Sequence, residues 1–247
     1  MRILSVNGNK RFFLGRYHKA VLAWLGRVDP DVVTVQEPWV NRPAQWWKLQ
    51  GFNLVGASGD VLVWSRPHLA ATVTQVESHR VAFSAGAYEV HAVHLDPYEG
   101  ARRREQLDQL RCEAGVSGKP VVVLGDFNLA PRPQDSRYEE GAGASTGADE
   151  RRAFEALQST FGLVDVTAVN GTDPEFTFER LIDGKMSRSR SDLALLPRDL
   201  DPDWARVVYD HNVRRGVGAF TDHSAILVDL PARPGMTQRH KASPGVL

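Results

Sequence analysis

The sequence contains a single cysteine and carries no formal net charge, and each absence excludes a class of protein. Cys112 alone cannot form an internal disulfide, and no Cys/His cluster indicates a structural zinc site. Because stable disulfides are typical of oxidising compartments, we expect a cytoplasmic location. The 30 basic residues balance the 30 acidic ones, so the field of the whole molecule predicts no strong nonspecific affinity for nucleic acid or for an anionic membrane.

Long apolar runs are also absent from the chain. Met1 and Arg2 lead directly into a strand-like stretch, so we expect neither a signal peptide nor a membrane span. The 247 residues, of which 42% are hydrophobic and 24% charged, are enough to bury one large core. We expect a single domain over residues 1–231. Residues 232–247 contain Pro, Arg, Lys and Gly without an apolar face, which predicts a disordered tail.

The clearest local signal is the segment PVVVLGDFNLAP, residues 120–131. Val121 to Leu124 predicts a short buried strand that Gly125 ends. Asp126 and Asn128 follow two positions apart, so in an extended chain their side chains leave the sheet on the same face. Proteins of the α/β class tend to place ligands at such strand ends. Gly, Asp and Asn are also ordinary turn formers, however, so this segment alone leaves both interpretations open.

Other predicted strands also begin or end with polar residues. Asn7 and Glu37 follow strands, and His94 lies at the end of the alternating segment 88–95. Singly, each has an ordinary explanation as a turn residue, a solvated loop residue or a structural histidine. Together, however, seven such residues lie at the ends of separate predicted strands, and each is of a type that binds a hard cation, a phosphate or a proton. They are Glu37, His94, Asp126, Asn128, Asp192, Asp222 and His223.

Each residue type in this set suits a step of phosphate chemistry. Carboxylates such as Glu37 and Asp222 suit Mg²⁺ or Mn²⁺, which take oxygen ligands. A histidine beside a carboxylate suits general acid–base catalysis or the stabilisation of developing charge. An amide such as Asn128 can donate to a phosphate oxygen without adding charge.

The remaining pattern is that of a mixed α/β chain. Apolar residues at helical spacing predict three helices, over residues 17–28, 101–114 and 149–161. Residues 52–55 and 61–64 predict an antiparallel hairpin, and residues 132–147 a mobile loop. A turn at Asp183-Gly184 predicts a second hairpin, with Asp192 to Leu196 as its returning strand.

In their order along the chain, these motifs resemble those of the endonuclease/exonuclease/phosphatase superfamily. The motifs are RILSVNGN, DVVTVQEPW, VHAVHLDPY, VVVLGDFN, RSDLALL and FTDHSAILV, and they extend over nearly all of residues 1–230. GDFN followed by TDH is the most specific pair. The resemblance implies an α/β fold, a four-layer α/β/β/α sandwich with two mixed β-sheets. It also implies a hydrolase of phosphoester bonds that depends on Mg²⁺ or Mn²⁺.

The resemblance further implies which residues bind the metal and activate water. Glu37 is similar to the principal metal ligand of the family, with Asn7 and Asp222 near the same cation. Asp126 is similar to the carboxylate that orients or deprotonates the attacking water. Asn128 is similar to the neighbouring amide that holds a phosphate oxygen.

Two histidines complete the set that the resemblance implies. His223 matches the histidine that contacts the scissile phosphate, and Asp192 matches the carboxylate that orients it. His94 lies where the deoxyribonuclease-like and phosphatase-like members have histidine and the abasic endonucleases generally have tyrosine. We therefore expect His94 to serve catalysis and substrate binding. We also expect Asn7, Asn128 and Arg190 to contact the substrate.

The substrate remains open between three alternatives. The first is DNA or RNA, which the nuclease-like motifs and a candidate rim of basic residues support. The rim residues are Arg102 to Arg104, Arg188, Arg190, Arg214 and Arg215. An ordinary solvated surface also explains these arginines. The second is a small phosphorylated molecule, which the neutral chain and its compact size favour. The third is a member of the family whose active-site frame serves only as a binding module or catalyses another reaction. Pro38-Trp39 after Glu37 departs from the Thr-Lys of abasic endonucleases, although some retroelement endonucleases share it. We expect a monomer.

Overall fold

A computed structural model describes residues 1–38, 48–139, 146–166, 168, 175–200, 205–216 and 218–232. The predicted tail from residue 233 onward lies outside this range, as does Trp39 of the QEPW motif. Residues 140–145 of the predicted mobile loop also lie outside it. Within the described ranges, no helix is long and apolar enough to cross a membrane.

The described chain forms three α-helices and fifteen strands. The helices are α1 (Gly15–Val28), α2 (Gly100–Glu113) and α3 (Ala148–Phe161), close to the three that apolar spacing predicts. The strands are β1 (Arg2–Asn7), β2 (Val32–Gln36), β3 (Asn53–Ala57), β4 (Val61–Ser65), β5 (Thr72–Glu77), β6 (Arg80–Ala85), β7 (Tyr88–His94), β8 (Val121–Asp126), β9 (Ser136–Tyr138), β10 (Leu163–Asp165), β11 (Phe178–Ile182), β12 (Lys185–Ser189), β13 (Asp192–Pro197), β14 (Arg206–Asp210) and β15 (Ala225–Asp229).

Two large mixed sheets form the centre of the molecule. The first has the order β14-β15-β1-β2-β4-β3, and the second has the order β10-β13-β8-β7-β6-β5. Alternation along the strands explains how they stack. In β1, Ile3 packs between the sheets while Leu4 packs toward α1. In β8, Leu124 packs between the sheets while Val123 packs toward α2 and α3. The layers are therefore α1, first sheet, second sheet and the α2–α3 pair, which confirms the α/β/β/α sandwich.

Strand direction brings the polar strand ends to one edge of the sandwich. β1 and β2 are parallel, with Asn7 beside Gln36 at their ends. β7 and β8 are also parallel, and their last residues, His94 and Asp126, are paired. The antiparallel strand β13 begins at this edge, because Asp192 lies opposite Asp126.

Gly125 allows β8 to approach β7 closely next to Asp126. Its φ angle is +138°, and a Cβ atom there would lie 2.1 Å from the carbonyl oxygen of Val93. Since a non-glycine residue is strained in this conformation and would collide with backbone, the glycine of the GDFN motif is a geometric requirement of the strand end.

A third, smaller sheet corrects two predictions from the sequence. The hairpin at Asp183-Gly184 is present, but its returning strand is Lys185–Ser189, and the three strands have the order β11-β12-β9. Asp192–Pro197 instead pairs with β8 and β10 in the second large sheet. Part of the predicted loop, Ser136–Tyr138, is the third strand of the small sheet. Both strands were missed because their polar sequences, KMSRS and SRY, have no apolar alternation.

Candidate active site

A cleft of about 740 Å³ lies at the edge where the polar strand ends meet, with the small sheet forming part of its wall. Its lining includes five of the predicted site residues: Glu37, His94, Asn128, Asp222 and His223. Asn7, Asp126 and Asp192 are buried and joined to this group by hydrogen bonds or close contacts. The structure thus brings together eight of the nine residues that the sequence analysis selects.

The site is the polar end of the core between the two large sheets. Leu124 belongs to that core, and Asp126 is the next residue on the same face of β8. Asn7, His94 and Asp192 occupy the corresponding end positions on the inner faces of β1, β7 and β13. Because apolar packing fixes these strands, their terminal polar side chains are held in fixed positions relative to one another.

Asn7 joins two carboxylates through its amide group. Its Nδ2 donates to Glu37 Oε1 at 3.2 Å and to Asp126 Oδ2 at 2.9 Å. Its Oδ1 accepts from the backbone N–H of Asn9 at 2.9 Å, which fixes the orientation of the amide. A neutral donor therefore holds two acidic side chains, from different sheets, next to each other without adding a positive charge.

Glu37 and Asp222 are the residues best suited to hold a divalent cation. Both carboxylates line the cleft, and the Glu37 side chain is 27% exposed. Asp222 Oδ1 accepts from Asn9 Nδ2 at 2.7 Å, and Glu37 Oε1 accepts from Asn7. The second oxygen of each carboxylate has no hydrogen-bond partner among the described residues. Mg²⁺ is bound by one or two such carboxylates together with water and substrate phosphate, so the donor set fits that ion.

His223 is fixed between two buried carboxylates. Its Nδ1 lies 2.9 Å from Asp192 Oδ2 and 3.7 Å from Asp126 Oδ2. Burial alone would lower the pKa of His223, but the charges of Asp192 and Asp126 and the hydrogen bond with Asp192 raise it to about 10. The imidazole is therefore protonated at neutral pH and can donate its other N–H into the cleft. Burial and the charge of Asp192 also raise the pKa of Asp126, which favours its acting as a proton acceptor.

Asp126, Asp192 and His223 could themselves surround a metal ion, since one ligand atom of each lies within 4.8 Å of the others. Two observations favour the Glu37 and Asp222 position instead. Nδ1 of His223 already bonds Asp192, and a protonated histidine cannot be a ligand. A hard cation also prefers a set of oxygen ligands to a mixed set.

Asn128 and His94 complete the wall of the cleft. Asn128 has a left-handed backbone with φ +49°, which lets its N–H donate to Asp126 Oδ1 at 2.9 Å while its Nδ2 donates to the Leu95 carbonyl at 2.9 Å. His94 Nε2 is buried, lies 3.6 Å from Glu37 Oε1 and has no hydrogen-bond partner among the described residues. A ring nitrogen without a hydrogen-bond partner at a cleft wall is suited to bind a substrate oxygen.

The prediction that Arg190 contacts the substrate does not fit its position. The guanidinium is fully buried, and its Nη2 donates to Asp135 Oδ2 and to Asp165 Oδ2, each at 2.7 Å. A buried cation that is paired with two carboxylates cannot reach a ligand, so Arg190 is a structural residue that joins distant segments of the chain. Its partners, 55 and 25 residues away in sequence, gave no local signal of this role.

Most arginines of the predicted basic rim contact carboxylates, but Arg188, Arg214 and Arg215 share the single carboxylate of Glu179. Arg103 is buried and pairs with Glu150, and Arg214 pairs with Glu179. Arg104, Arg188 and Arg215 also have carboxylate partners within 4.0 Å, namely Asp149 for the first and Glu179 for the other two. The sequence analysis missed two cations that do line the cleft, Lys10 and Arg180. Alternation along β11 could have identified Arg180, because it shares a strand face with Phe178.

Comparison with known proteins identifies the family. The profile of the endonuclease/exonuclease/phosphatase family matches residues 6–223. The chain belongs to this family. A structural relative, an AP endonuclease from Archaeoglobus fulgidus, has a TM-score of 0.71 at 18% identity, over 93% of this chain and 99% of its own. The comparison with curated proteins gave no match.

Two further solved structures share the fold of this chain. The 3′ phosphatase NExo from Neisseria, bound to product DNA hairpin, has a TM-score of 0.71 at 20% identity over 94% of this chain and 99% of its own. The endonuclease domain of TRAS1, a telomere-specific non-LTR retrotransposon, has a TM-score of 0.60 at 17% identity over 93% of this chain and 97% of its own. The family comprises metal-dependent enzymes that hydrolyse phosphoester bonds, and this chain is such a hydrolase.

Proposed function

We propose that the protein is a Mg²⁺-dependent nuclease that hydrolyses phosphodiester bonds in nucleic acid. The observation that carries this proposal is the Asn7 amide, which places the proposed metal carboxylate Glu37 and the proposed base Asp126 side by side. His223, held by Asp192, lies 3.7 Å from Asp126 Oδ2. A phosphate bound between these groups would meet a water-activating carboxylate and a cationic donor at once.

Each residue has a distinct role in the proposed reaction. Glu37 and Asp222 would hold the cation, which when bound neutralises charge on the phosphoryl oxygens. Asn7 would position Glu37 by donating to it from Nδ2, since the amide oxygen of Asn7 already accepts from the N–H of Asn9. Asp126 orients the attacking water and accepts its proton, a role that its raised pKa supports. His223 donates to a phosphoryl oxygen and keeps its proton, because Asp192 and Asp126 stabilise the imidazolium.

Asn128 and His94 would position the phosphate for this attack. Asn128 keeps a second amide hydrogen beyond the one that it donates to Leu95, and His94, whose Nε2 has no hydrogen-bond partner among the described residues, lines the cleft. DNA is favoured as a substrate by the structural relatives, among them an AP endonuclease and a 3′ phosphatase bound to a DNA hairpin.

A small phosphorylated molecule is the second candidate substrate. The zero net charge of the chain and the buried pair between Arg103 and Glu150 favour it, since a long polyanion gains most from cations that have no partner. The salt dependence of binding separates the two candidates. A steep loss of affinity between about 50 and 200 mM salt indicates several phosphate contacts, whereas a flat response indicates a compact ligand.

Activity on a substrate panel tests the proposal directly. The panel contains plasmid DNA, abasic duplex, RNA and phosphorylated metabolites, each with Mg²⁺ and with EDTA. We expect cleavage of a nucleic acid only with the metal, and a loss of about 10³-fold in turnover for Asp126→Asn. Asp108→Asn, an exposed carboxylate on α2 that serves as a control, should retain full activity. Full activity of the Asp126 variant, or hydrolysis of a metabolite alone, would contradict the proposal.

A further inference from the structure

Arg180 occupies a position in the cleft that the proposed catalytic residues do not use. It lies on β11 and lines the cleft together with Phe178, which is two residues earlier on the same strand face. The ring of Phe178 lies 4.9 Å from the ring of His223, centroid to centroid. Two residues of extended strand span about 7 Å. Arg180 therefore lies about that distance along β11 beyond Phe178, the residue that contacts His223.

Two serines lie beside Arg180 and Phe178 on the cleft face of the small sheet. Across the small sheet, Arg180 is paired with Ser187 and Phe178 is paired with Ser189, and both serines line the cleft. Ser187 is 2% and Ser189 7% exposed, and both side chains carry hydroxyl groups that can donate to an anion bound at the cleft wall.

Arg180 also differs from other arginines of this region in having no carboxylate partner among the described residues. Arg103, Arg188, Arg190 and Arg214 each pair with a carboxylate. Arg180 is exposed, and no carboxylate of the described residues pairs with it. An arginine that lines the cleft and has no carboxylate partner among the described residues is suited to bind a phosphate through two hydrogen bonds.

We infer that Arg180 and Ser187 form a second phosphate subsite, which binds the phosphate adjacent to the scissile one in a polynucleotide. This inference rests on the proposed nuclease function and deepens it. With a phosphate at His223 and another at Arg180, the enzyme recognises a chain of nucleotides by its backbone. A substrate with a single phosphate would leave Arg180 unused, so the subsite favours oligonucleotides over isolated phosphodiesters and over phosphorylated metabolites.

Neutral linkages in a defined oligonucleotide test the subsite. A methylphosphonate is placed at each position that flanks the scissile bond in turn, and kcat/KM is measured for the wild type and for Arg180→Ala. At one flanking position, the neutral linkage should lower kcat/KM of the wild type by about 10- to 100-fold, the range expected for a charge-assisted pair. Arg180→Ala should show the same loss on the native oligonucleotide and no further loss on the neutral one.

Matched variants control for folding and for charge. Arg188→Ala removes a cation from the opposite face of the same hairpin, where Arg188 contacts Glu179, and should leave kcat/KM unchanged. Arg180→Lys keeps the charge but loses the fork and should recover only part of the activity. Because Arg180 is exposed, the thermal unfolding midpoint of its variants should equal that of the wild type.

The outcomes separate the subsite from the proposed function. Two results overturn the subsite alone, provided that Asp126→Asn still lowers turnover by about 10³-fold. One is that the losses from Arg180→Ala and from the neutral linkage multiply, and the other is that Arg180→Ala equals the wild type. A wild-type enzyme that cleaves no oligonucleotide overturns the subsite and the proposed nuclease function together. Equal activity of the wild type on single-phosphate and multi-phosphate substrates also overturns the subsite.

Discussion

Glu89→Gln should destabilise the protein strongly at neutral pH and much less in acid. The Glu89 carboxylate is buried on β7, and only 6% of its side chain is exposed. It accepts from His91 Nε2 at 2.8 Å and from the backbone N–H groups of Gly115 at 2.7 Å and Ser117 at 3.2 Å. The Ser117 hydroxyl also donates to it. These bonds tie the sheet to the turn that follows α2.

The size of the effect follows from the pKa of Glu89. Burial alone would raise this pKa, but the hydrogen bonds with His91, Ser117 and Gly115 lower it from 4.5 to about 2. Because the folded pKa lies below the unfolded one, the contribution to stability is complete above pH 4.5 and is lost as pH falls toward 2. The difference corresponds to about 3 kcal/mol at pH 7 and to about half of that at pH 3.

Urea unfolding followed by tryptophan fluorescence measures this difference. Wild type and Glu89→Gln are compared at pH 7, 4 and 3, and the gap between their unfolding free energies should narrow with falling pH. Since Glu89 lies outside the cleft, the folded variant should keep its turnover number on a phosphodiester. A gap that is the same at pH 7 and pH 3, or one below about 0.5 kcal/mol at pH 7, would refute the assignment of Glu89 as an ionised buried acceptor.

Three further substitutions test the framework of the site. Asn7→Ala removes the link between two carboxylates and should lower turnover on a phosphodiester by about 100-fold without unfolding the protein, as steady-state kinetics and circular dichroism would show; unchanged turnover would contradict the linking role. Thr177→Val removes the hydroxyl that accepts from the N–H groups of Ser191 and Asp192, each at 3.1 Å. It should cost about 3 kcal/mol in urea unfolding, with Thr177→Ser as the control that keeps the acceptor. Gly125→Ala should prevent folding or lower the melting temperature by more than about 10 °C, because the new Cβ would meet a carbonyl oxygen at 2.1 Å. The control is Gly86→Ala, at φ +56° with open space around it, which should lower the free energy of unfolding by only about 1 kcal/mol.

A central strand such as β8 could be predicted because its sequence is continuously apolar, as is typical of strands that are buried on both faces. Val121 to Leu124 is continuously apolar and lies in the middle of the second sheet, between a helix layer and the other sheet. The polar residues that end such strands could be selected because strand ends at one edge must meet there. Their mutual geometry could not be predicted, since the contact between Asn7 and Asp126 joins residues 119 positions apart.

The arginines show where prediction from sequence stops. Arg180 lies in the more apolar stretch FERLI and Arg190 in the polar stretch SRSRSD, yet the first is exposed in the cleft and the second is fully buried. The difference depends on Asp135 and Asp165, which approach Arg190 only through the folded backbone. Strands β9 and β12 of the small sheet were missed for a related reason, because their polar sequences are held by backbone pairing and not by an apolar face.

The central claim is that Glu37 and Asp222, positioned by Asn7 and Asn9, hold a divalent cation beside Asp126. Anomalous diffraction from crystals soaked in Mn²⁺ tests this claim most directly, because it locates the ion without reference to activity. We predict one strong peak at direct coordination distance from the carboxylates of Glu37 and Asp222. A peak between Asp126, Asp192 and His223, with none at Glu37, would contradict the account.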